Sequence, residues 1–128
     1  MTSVDTNVLV RILVDDAGAV EQMEKARALL AASGTVYVTQ IVQVELVWVL
    51  ESAYGFDKAS VCRALDHIQH HQQFSLQSLD CFNAALDSFK KNSADFSDCL
   101  ILAESVLQQS KLATFDKKLG RLKGVERL

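Results

Sequence analysis

Four acidic residues stand where they could hold a divalent cation. Asp5 ends the first short β-like segment, Asp116 follows the segment "LATF", and Glu45 and Asp98 lie near the starts of two apolar helical segments. Mg²⁺ and Mn²⁺ prefer carboxylate oxygens, whereas zinc favours histidine or cysteine. An ion of this kind orients water and stabilises charge on phosphorus oxygens. The residue types therefore predict metal-assisted phosphodiester hydrolysis.

Glu45 is the most unusual of these acids because it lies within "QIVQVELVWVL". Its neighbours one helical turn away are all apolar, namely Ile41, Val42, Trp48 and Val49. Burying a carboxylate costs several kcal/mol unless it is paired, protonated or bound to a metal. No lysine or arginine lies within a turn of it. We therefore expect Glu45 to be surrounded by apolar side chains and to share a cation with distant aspartates.

Each aspartate also has a structural interpretation. Asp5 could end a strand in a turn or cap a helix, and Asp116 could cap a short helix before Lys117 and Lys118. Asp95 and Asp98 have the spacing of a capping box. We interpret Asp95 as the cap, and its participation in the acidic site stays open.

Strand-like and helix-like segments alternate along the chain. Strands are predicted near residues 2–6, 35–39, 74–76, 111–115 and 125–128; helices near 7–16, 19–33, 40–54, 58–71, 79–92 and 95–110; and a short helical turn at 116–122. Thr39 and Asp57 are predicted N-caps, and Gly34 and Gly55 are predicted helix ends. This order predicts a three-layer α/β/α sandwich around a central, mainly parallel sheet of four or five short strands.

The predicted fold would bring the four acids together. Ligands bind such sheets beyond the carboxyl ends of the strands, where Asp5 and Asp116 would lie. Helices begin at that same edge, so Glu45 and Asp98 would be near it. Carboxylates held together raise one another's pKa unless a cation neutralises them. The sequence therefore predicts one acidic metal site, with one or two ions and the identity of the general base left open.

Composition limits the class of protein. The 128 residues fit a single domain, residues 1–128, and 49% of them are hydrophobic. The net charge of −3 argues against a purely electrostatic nucleic-acid binder but not against a nuclease. Cys62, Cys81 and Cys99 are interpreted as reduced core residues. The N-terminus has no leader-like pattern and no apolar run reaches about 18 residues, so we expect a cytoplasmic protein that makes no membrane contact.

Four sequence blocks resemble a PIN domain, specifically the toxin ribonuclease of VapBC-type toxin–antitoxin pairs. The blocks are "VDTNVLVRIL", "VTQIVQVELVWVL", "ADFSDCLILAES" and "LATFDKKLGRLKGVERL", and together they span nearly the whole chain. By position, the resemblance implies metal binding by Asp5, Glu45 and Asp98, with Asp116 as a more variable fourth member. It also implies supporting polar roles for Asn7 and Thr114.

The resemblance implies further properties that the residue chemistry alone does not. They are an RNA substrate, endonucleolytic cleavage, a homodimer, and a small DNA-binding antitoxin that blocks the acidic pocket. Arg11, Lys117 and Lys118 lie near the predicted rim and could contact the RNA backbone, although solvated surface charge is the alternative.

Other interpretations of the sequence fit its residues less well. A phospho-receiver domain shares the α/β class and an acidic Mg²⁺ pocket, but it needs a phosphoacceptor aspartate at the end of a central strand. A PIN-like module that only binds partners is a second alternative, against which the complete set of four acids argues.

The triplet "DTN" begins like a haloacid-dehalogenase motif but lacks its second acid at Asn7. His67, His70 and His71 have spacings seen in metal sites, yet no fourth ligand is nearby, and a helix C-terminus favours histidine.

Overall fold

Short strands and longer helices alternate in the computed structural model, which describes residues 1–128. The strands are β1 (Thr2–Ser3), β2 (Val36–Val38), β3 (Phe74–Leu76), β4 (Leu112–Thr114) and β5 (Val125–Arg127). The helices are α1 (Thr6–Leu13), α2 (Val20–Ser33), α3 (Gln40–Ser52), α4 (Lys58–His70), α5 (Leu79–Lys91) and α6 (Phe96–Leu107), with 3-10 turns at Ala17–Ala19 and Leu119–Arg121. The predicted α/β class is confirmed. None of the helices has the length and apolar character needed to cross a membrane.

All strand pairs are parallel, as predicted, but the strands do not hydrogen-bond into one sheet. One sheet has the order β1-β2-β3, and β4 pairs only with β5. In the first sheet Thr2 pairs with Val36, and Val36 pairs in turn with Phe74. The expected sheet of four or five strands was therefore wrong in its extent. Alternating apolar patterns indicate where strands occur, but they do not specify which strands pair.

The chain forms two compact units, Met1–Gln77 and Ser78–Leu128. The first contains β1 to β3 with α1 to α4, and the second contains α5, α6, β4 and β5. A single domain spanning residues 1–128 stays a prediction.

Helix starts in the first unit follow the predicted caps. The side chain of Thr39 accepts a hydrogen bond from the amide of Val42 at 3.4 Å, and Asp57 accepts one from Ser60 at 2.8 Å. Gly34 ends α2 with a positive φ of 72°. The predicted end of α3 at Gly55 was wrong by two residues, because Ala53 is the C-cap and Gly55 lies in the following turn.

Helix α3 is fixed at its start by a buried amide side chain. Nε2 of the fully buried Gln43 donates to the carbonyl of Val38 at 3.3 Å and to that of Gln77 at 3.0 Å. Val38 is the last residue of β2, and Gln77 directly follows β3. Val42, Leu46 and Leu50 bury the apolar face of the helix. Gln43 therefore ties the beginning of α3 to the carboxyl edge of the first sheet.

An aromatic cluster fills the core of the second unit. The ring of Phe96 makes edge contacts with Phe82 and Phe89, at centroid distances of 5.8 and 5.9 Å. Cys81 and Cys99 are buried, and Cys62 of the first unit is half-buried. None of the three forms a disulfide, in line with the predicted reduced state. Asp95 occupies the N-cap position of α6, but its side chain makes no capping hydrogen bond. The predicted N-cap position of Asp95 is therefore confirmed, whereas the side-chain hydrogen bond of a capping box is not formed.

A polar network joins α1 to the segments around Asp16 and Tyr54. The Arg11 guanidinium donates to Gln22 Oε1 at 2.8 Å and to the Tyr54 hydroxyl at 2.7 Å. The Tyr54 hydroxyl in turn donates to Asp16 Oδ2 at 2.9 Å. The amide of Gly18, the hydroxyl of Tyr54 and the charge of Arg11, in that order, hold the pKa of Asp16 below its ordinary value. The hydroxyl of Tyr54 therefore links the Arg11 guanidinium to the Asp16 carboxylate.

Tyr54→Phe should lower the free energy of unfolding by about 1 kcal/mol, because it removes these hydrogen bonds while preserving the ring. Chemical denaturation followed by circular dichroism measures the change. The matched control is Tyr37→Phe at the other tyrosine, whose hydroxyl is not in this network. If both variants lost equal stability, the network would have no special role.

Asp16→Asn should change how stability depends on pH. Because the folded pKa of Asp16 is lowered, its contribution is complete above the ordinary aspartate range. It is lost as pH falls through the lowered folded value, so wild type should lose more stability than Asp16→Asn between about pH 5 and pH 2. Thermal unfolding across this range is the measurement, and parallel curves for the two proteins would contradict the prediction.

Candidate active site

Asp5 and Glu45 both lie near the carboxyl edge of the first sheet, because the segments that carry them follow the adjacent strands β1 and β2. Asp5 is the N-cap of α1, and its Oδ1 accepts a hydrogen bond from the amide of Val8 at 3.0 Å. The Thr6 hydroxyl donates to Glu45 Oε1 at 2.9 Å. The residue directly after Asp5 thus holds the Glu45 carboxylate. The structural interpretation of Asp5 as a cap is confirmed, and it uses one of the two carboxylate oxygens.

Glu45 is exposed, so the expectation that apolar side chains would surround it was wrong. Ile41 and Trp48, its neighbours on the helix, are 72% and 68% exposed. The opposite face of α3 carries the buried residues. A helix that is apolar on nearly all sides has no sequence pattern that indicates which face is buried. For this reason the exposure of Glu45 could not be predicted from the sequence.

In the second unit Asp98 and Asp116 line one cavity. The cavity has a volume of about 330 Å³, and its lining comprises Ala94, Asp95, Asp98, Asp116, Lys117, Lys118 and Arg121. Partial burial raises the pKa of Asp98, and the negative charges of Asp95 and Asp116 raise it further. Two acids therefore act electrostatically on a third, which is the repulsion that a bound cation would relieve.

Asp116 is held by the turn that follows β4. Its Oδ2 accepts a hydrogen bond from the amide of Leu119 at 2.7 Å, and its own amide donates to the Thr114 hydroxyl at 2.9 Å. The first contact resembles the helix cap considered from the sequence. The second agrees with a supporting role for Thr114. Together they fix the carboxylate of Asp116 at the end of β4.

The predicted basic and polar residues have different environments. Arg11 has an 18% exposed side chain and is engaged in the network with Gln22 and Tyr54, whereas Lys117 and Lys118 are exposed and line the acidic cavity. Asn7 is exposed in the first turn of α1. Contact of Arg11 with RNA and support of the acids by Asn7 stay predictions.

Sequence reasoning missed two residues of the candidate site. Thr6 holds Glu45, and Arg121 lines the cavity beside Lys118. Both had a signal in the sequence, because Thr6 directly follows Asp5 and Arg121 lies one turn beyond Lys118.

The histidines form a local ring contact. His67 stacks on His71 with centroids 4.0 Å apart and meets Phe74 edge-on at 5.8 Å. Partial burial, with a smaller effect of His71, lowers the pKa of His67. Nδ1 of His70 lies 2.8 Å from the carbonyl oxygen of Asp66. These contacts account for the three histidines without a metal.

The acidic side chains fit Mg²⁺ or Mn²⁺ in donor chemistry, because every candidate ligand is a carboxylate oxygen. Neither unit alone brings together three acidic, histidine or cysteine side chains that could hold a metal ion. Mg²⁺ is commonly bound by one or two carboxylates, with waters and substrate phosphates completing its octahedron. In the second unit Asp98 and Asp116 line one cavity, and in the first unit Asp5 directly precedes Thr6, which binds Glu45.

Comparisons with known proteins identify the family of the chain. The chain is similar to the VapC ribonuclease of Aquifex aeolicus (strain VF5), with 27% identity over 101 residues, which cover 78% of this chain and 75% of that protein. No solved structure matches this chain. The model of the PIN domain matches residues 3–125, and with the VapC relative it confirms the resemblance inferred from the four sequence blocks. The chain therefore belongs to the PIN-domain family.

Proposed function

We propose that the protein is a Mg²⁺- or Mn²⁺-dependent endoribonuclease and the toxin of a type II toxin–antitoxin pair. The observation that carries the proposal is the cavity in which Asp98, with its raised pKa, faces Asp95 and Asp116 beside exposed lysines. Acids that repel one another next to phosphate-binding cations suit a metal-dependent phosphodiesterase. The similarity to a VapC ribonuclease supports RNA as the substrate and a VapB-like antitoxin as the partner.

The proposed site combines Asp5, Glu45, Asp98 and Asp116 as metal ligands. When bound, a divalent ion supplies electrostatic stabilisation of the charge that develops on the phosphate. Thr6 fixes the orientation of Glu45 through the 2.9 Å hydrogen bond, and Thr114 helps to fix Asp116. Lys117 and Lys118 attract the phosphate backbone.

One of the acids is proposed to accept a proton from the attacking water. The water oxygen bonds to phosphorus, the bridging P–O bond breaks, and the leaving oxygen takes up a proton from solvent. RNA and antitoxin would both be met in the cytoplasm, where we propose that the protein acts as a homodimer.

Two alternatives fit the structure less well. In the first unit the central strand β2 is followed by Thr39, whereas a phospho-receiver needs an aspartate there. A PIN-like module that only binds partners would not need the hydrogen bond from Thr6 to Glu45 or the crowded acids around Asp98. Both observations favour the enzyme.

Purified protein free of antitoxin should cleave RNA with Mg²⁺ or Mn²⁺ and lose that activity in excess chelator. Glu45→Gln and Asp98→Asn should each lower the cleavage rate by about 100-fold or more, corresponding to about 3 kcal/mol in the barrier. Asp87→Asn, which changes an exposed acid on α5, is the control and should cleave at the wild-type rate. Cleavage that persists in chelator, or in both site variants, would contradict the proposal.

Thr6→Val should lower cleavage by about 10- to 100-fold, because supporting hydrogen bonds to metal ligands have effects of this size. Thr6→Ser retains the hydroxyl and should restore most of the activity. Thr35→Val changes another threonine of the first unit that has no side-chain contact with an acid. Equal rates for Thr6→Val and Thr6→Ser would show that the hydroxyl does not position Glu45.

A further inference from the structure

The most exposed large apolar side chain of the molecule lies next to a proposed metal ligand. Phe115 is 82% exposed and occupies the bend between the end of β4 and Asp116. Exposure alternates along this segment, with Ala113 and Phe115 exposed and Leu112 and Thr114 half-buried. The strand register therefore turns the ring outward, while the Thr114 hydroxyl bonds the Asp116 amide.

The surroundings of Phe115 are charged. The residues that follow it line the acidic cavity, and they are Asp116, Lys117, Lys118 and Arg121. One exposed apolar neighbour is Leu128, whose amide donates to the carbonyl of Thr114 at 2.8 Å. Protein-binding surfaces usually present a contiguous apolar patch of several hundred Å², and a lone ring with one leucine beside three cations is not such a patch.

An unpaired nucleic-acid strand fits this combination better. Single-stranded nucleic acids are bound by cationic grooves that follow the backbone and by aromatic rings on which bases stack. Consecutive Cα atoms are about 3.8 Å apart, so a base on Phe115 would bring its own or the next phosphate close to Asp116 and Lys117. A paired base offers no free face to such a ring.

We propose that Phe115 is a base-stacking residue that selects unpaired nucleotides and positions the phosphate to be cleaved. The proposal rests on the proposed nuclease function and adds the residue that recognises an unpaired base. Phe115 touches the base and not the reacting atoms, so it contributes to substrate binding and register.

The test measures binding separately from cleavage. Fluorescence anisotropy of a labelled single-stranded RNA of about ten nucleotides is recorded in chelator for wild type, Phe115→Ala, Phe115→Tyr and Leu107→Ala. Leu107→Ala removes an exposed apolar side chain of α6 that does not line the cavity. Phe115→Ala should weaken binding by roughly 10-fold, while Phe115→Tyr and Leu107→Ala bind like wild type. With metal added, Phe115→Ala should raise KM by a similar factor and leave kcat within about threefold.

A second experiment reports stacking directly. Trp48 is the only tryptophan, so Trp48→Phe combined with Phe115→Trp places a single fluorophore at position 115. Its fluorescence should be quenched by the single strand, but not by the same strand in a duplex or with abasic nucleotides. Quenching by all three ligands would overturn the stacking proposal.

The outcomes separate the two proposals. If wild type and Phe115→Ala bind and cleave the single strand equally, stacking is wrong and the nuclease proposal stands. If Phe115→Ala changes only self-association, measured by sedimentation, the ring is a protein contact and stacking is again wrong. If wild type neither binds nor cleaves RNA, both proposals are overturned.

Discussion

Repulsion between carboxylates is the constraint on which the rest of the candidate site depends. Asp98 is partly buried and faces the charges of Asp95 and Asp116, so its ionised form costs more than that of a solvated aspartate. A fold that served stability alone would gain by replacing one of these acids. Instead, two hydrogen bonds fix Asp116 at the end of β4. The basic residues Lys117, Lys118 and Arg121 line the same cavity. This arrangement suits a charged ligand and explains why a divalent ion is the proposed counter-charge.

Strand pairing positions an exposed acid at the edge of the first sheet. Parallel pairing of β1 and β2 puts their following helices at one edge, so Thr6 can reach from the start of α1 to Glu45 in α3. Gln43 binds the carbonyls of Val38 and Gln77 and fixes the beginning of α3 at that edge. Glu45 is therefore positioned by the backbone of the sheet as well as by one hydroxyl.

The sequence predicted the local elements well because their signals are local. Thr39 and Asp57 cap the helices as expected, and even the short strand β3 forms. Prediction from the sequence failed for features that depend on contacts between residues distant in the chain. The pairing of β4 with β5 alone, the outward direction of Glu45 and the engagement of Arg11 with Tyr54 are set by tertiary packing. The four acids could be proposed from their residue type and their position in the sequence. The hydrogen bond from Thr6 to Glu45 could be identified only in the structure.

The central proposal is that Asp5, Glu45, Asp98 and Asp116 all contribute to binding a divalent cation. Calorimetric titration of Mn²⁺ into the protein without RNA tests it most directly, using wild type, Asp5→Asn, Asp98→Asn and the control Asp87→Asn. The account predicts one class of site whose affinity falls by at least 10-fold in both Asp5→Asn and Asp98→Asn and is unchanged in the control. Mn²⁺ binding that is the same in wild type and in either site variant would contradict it.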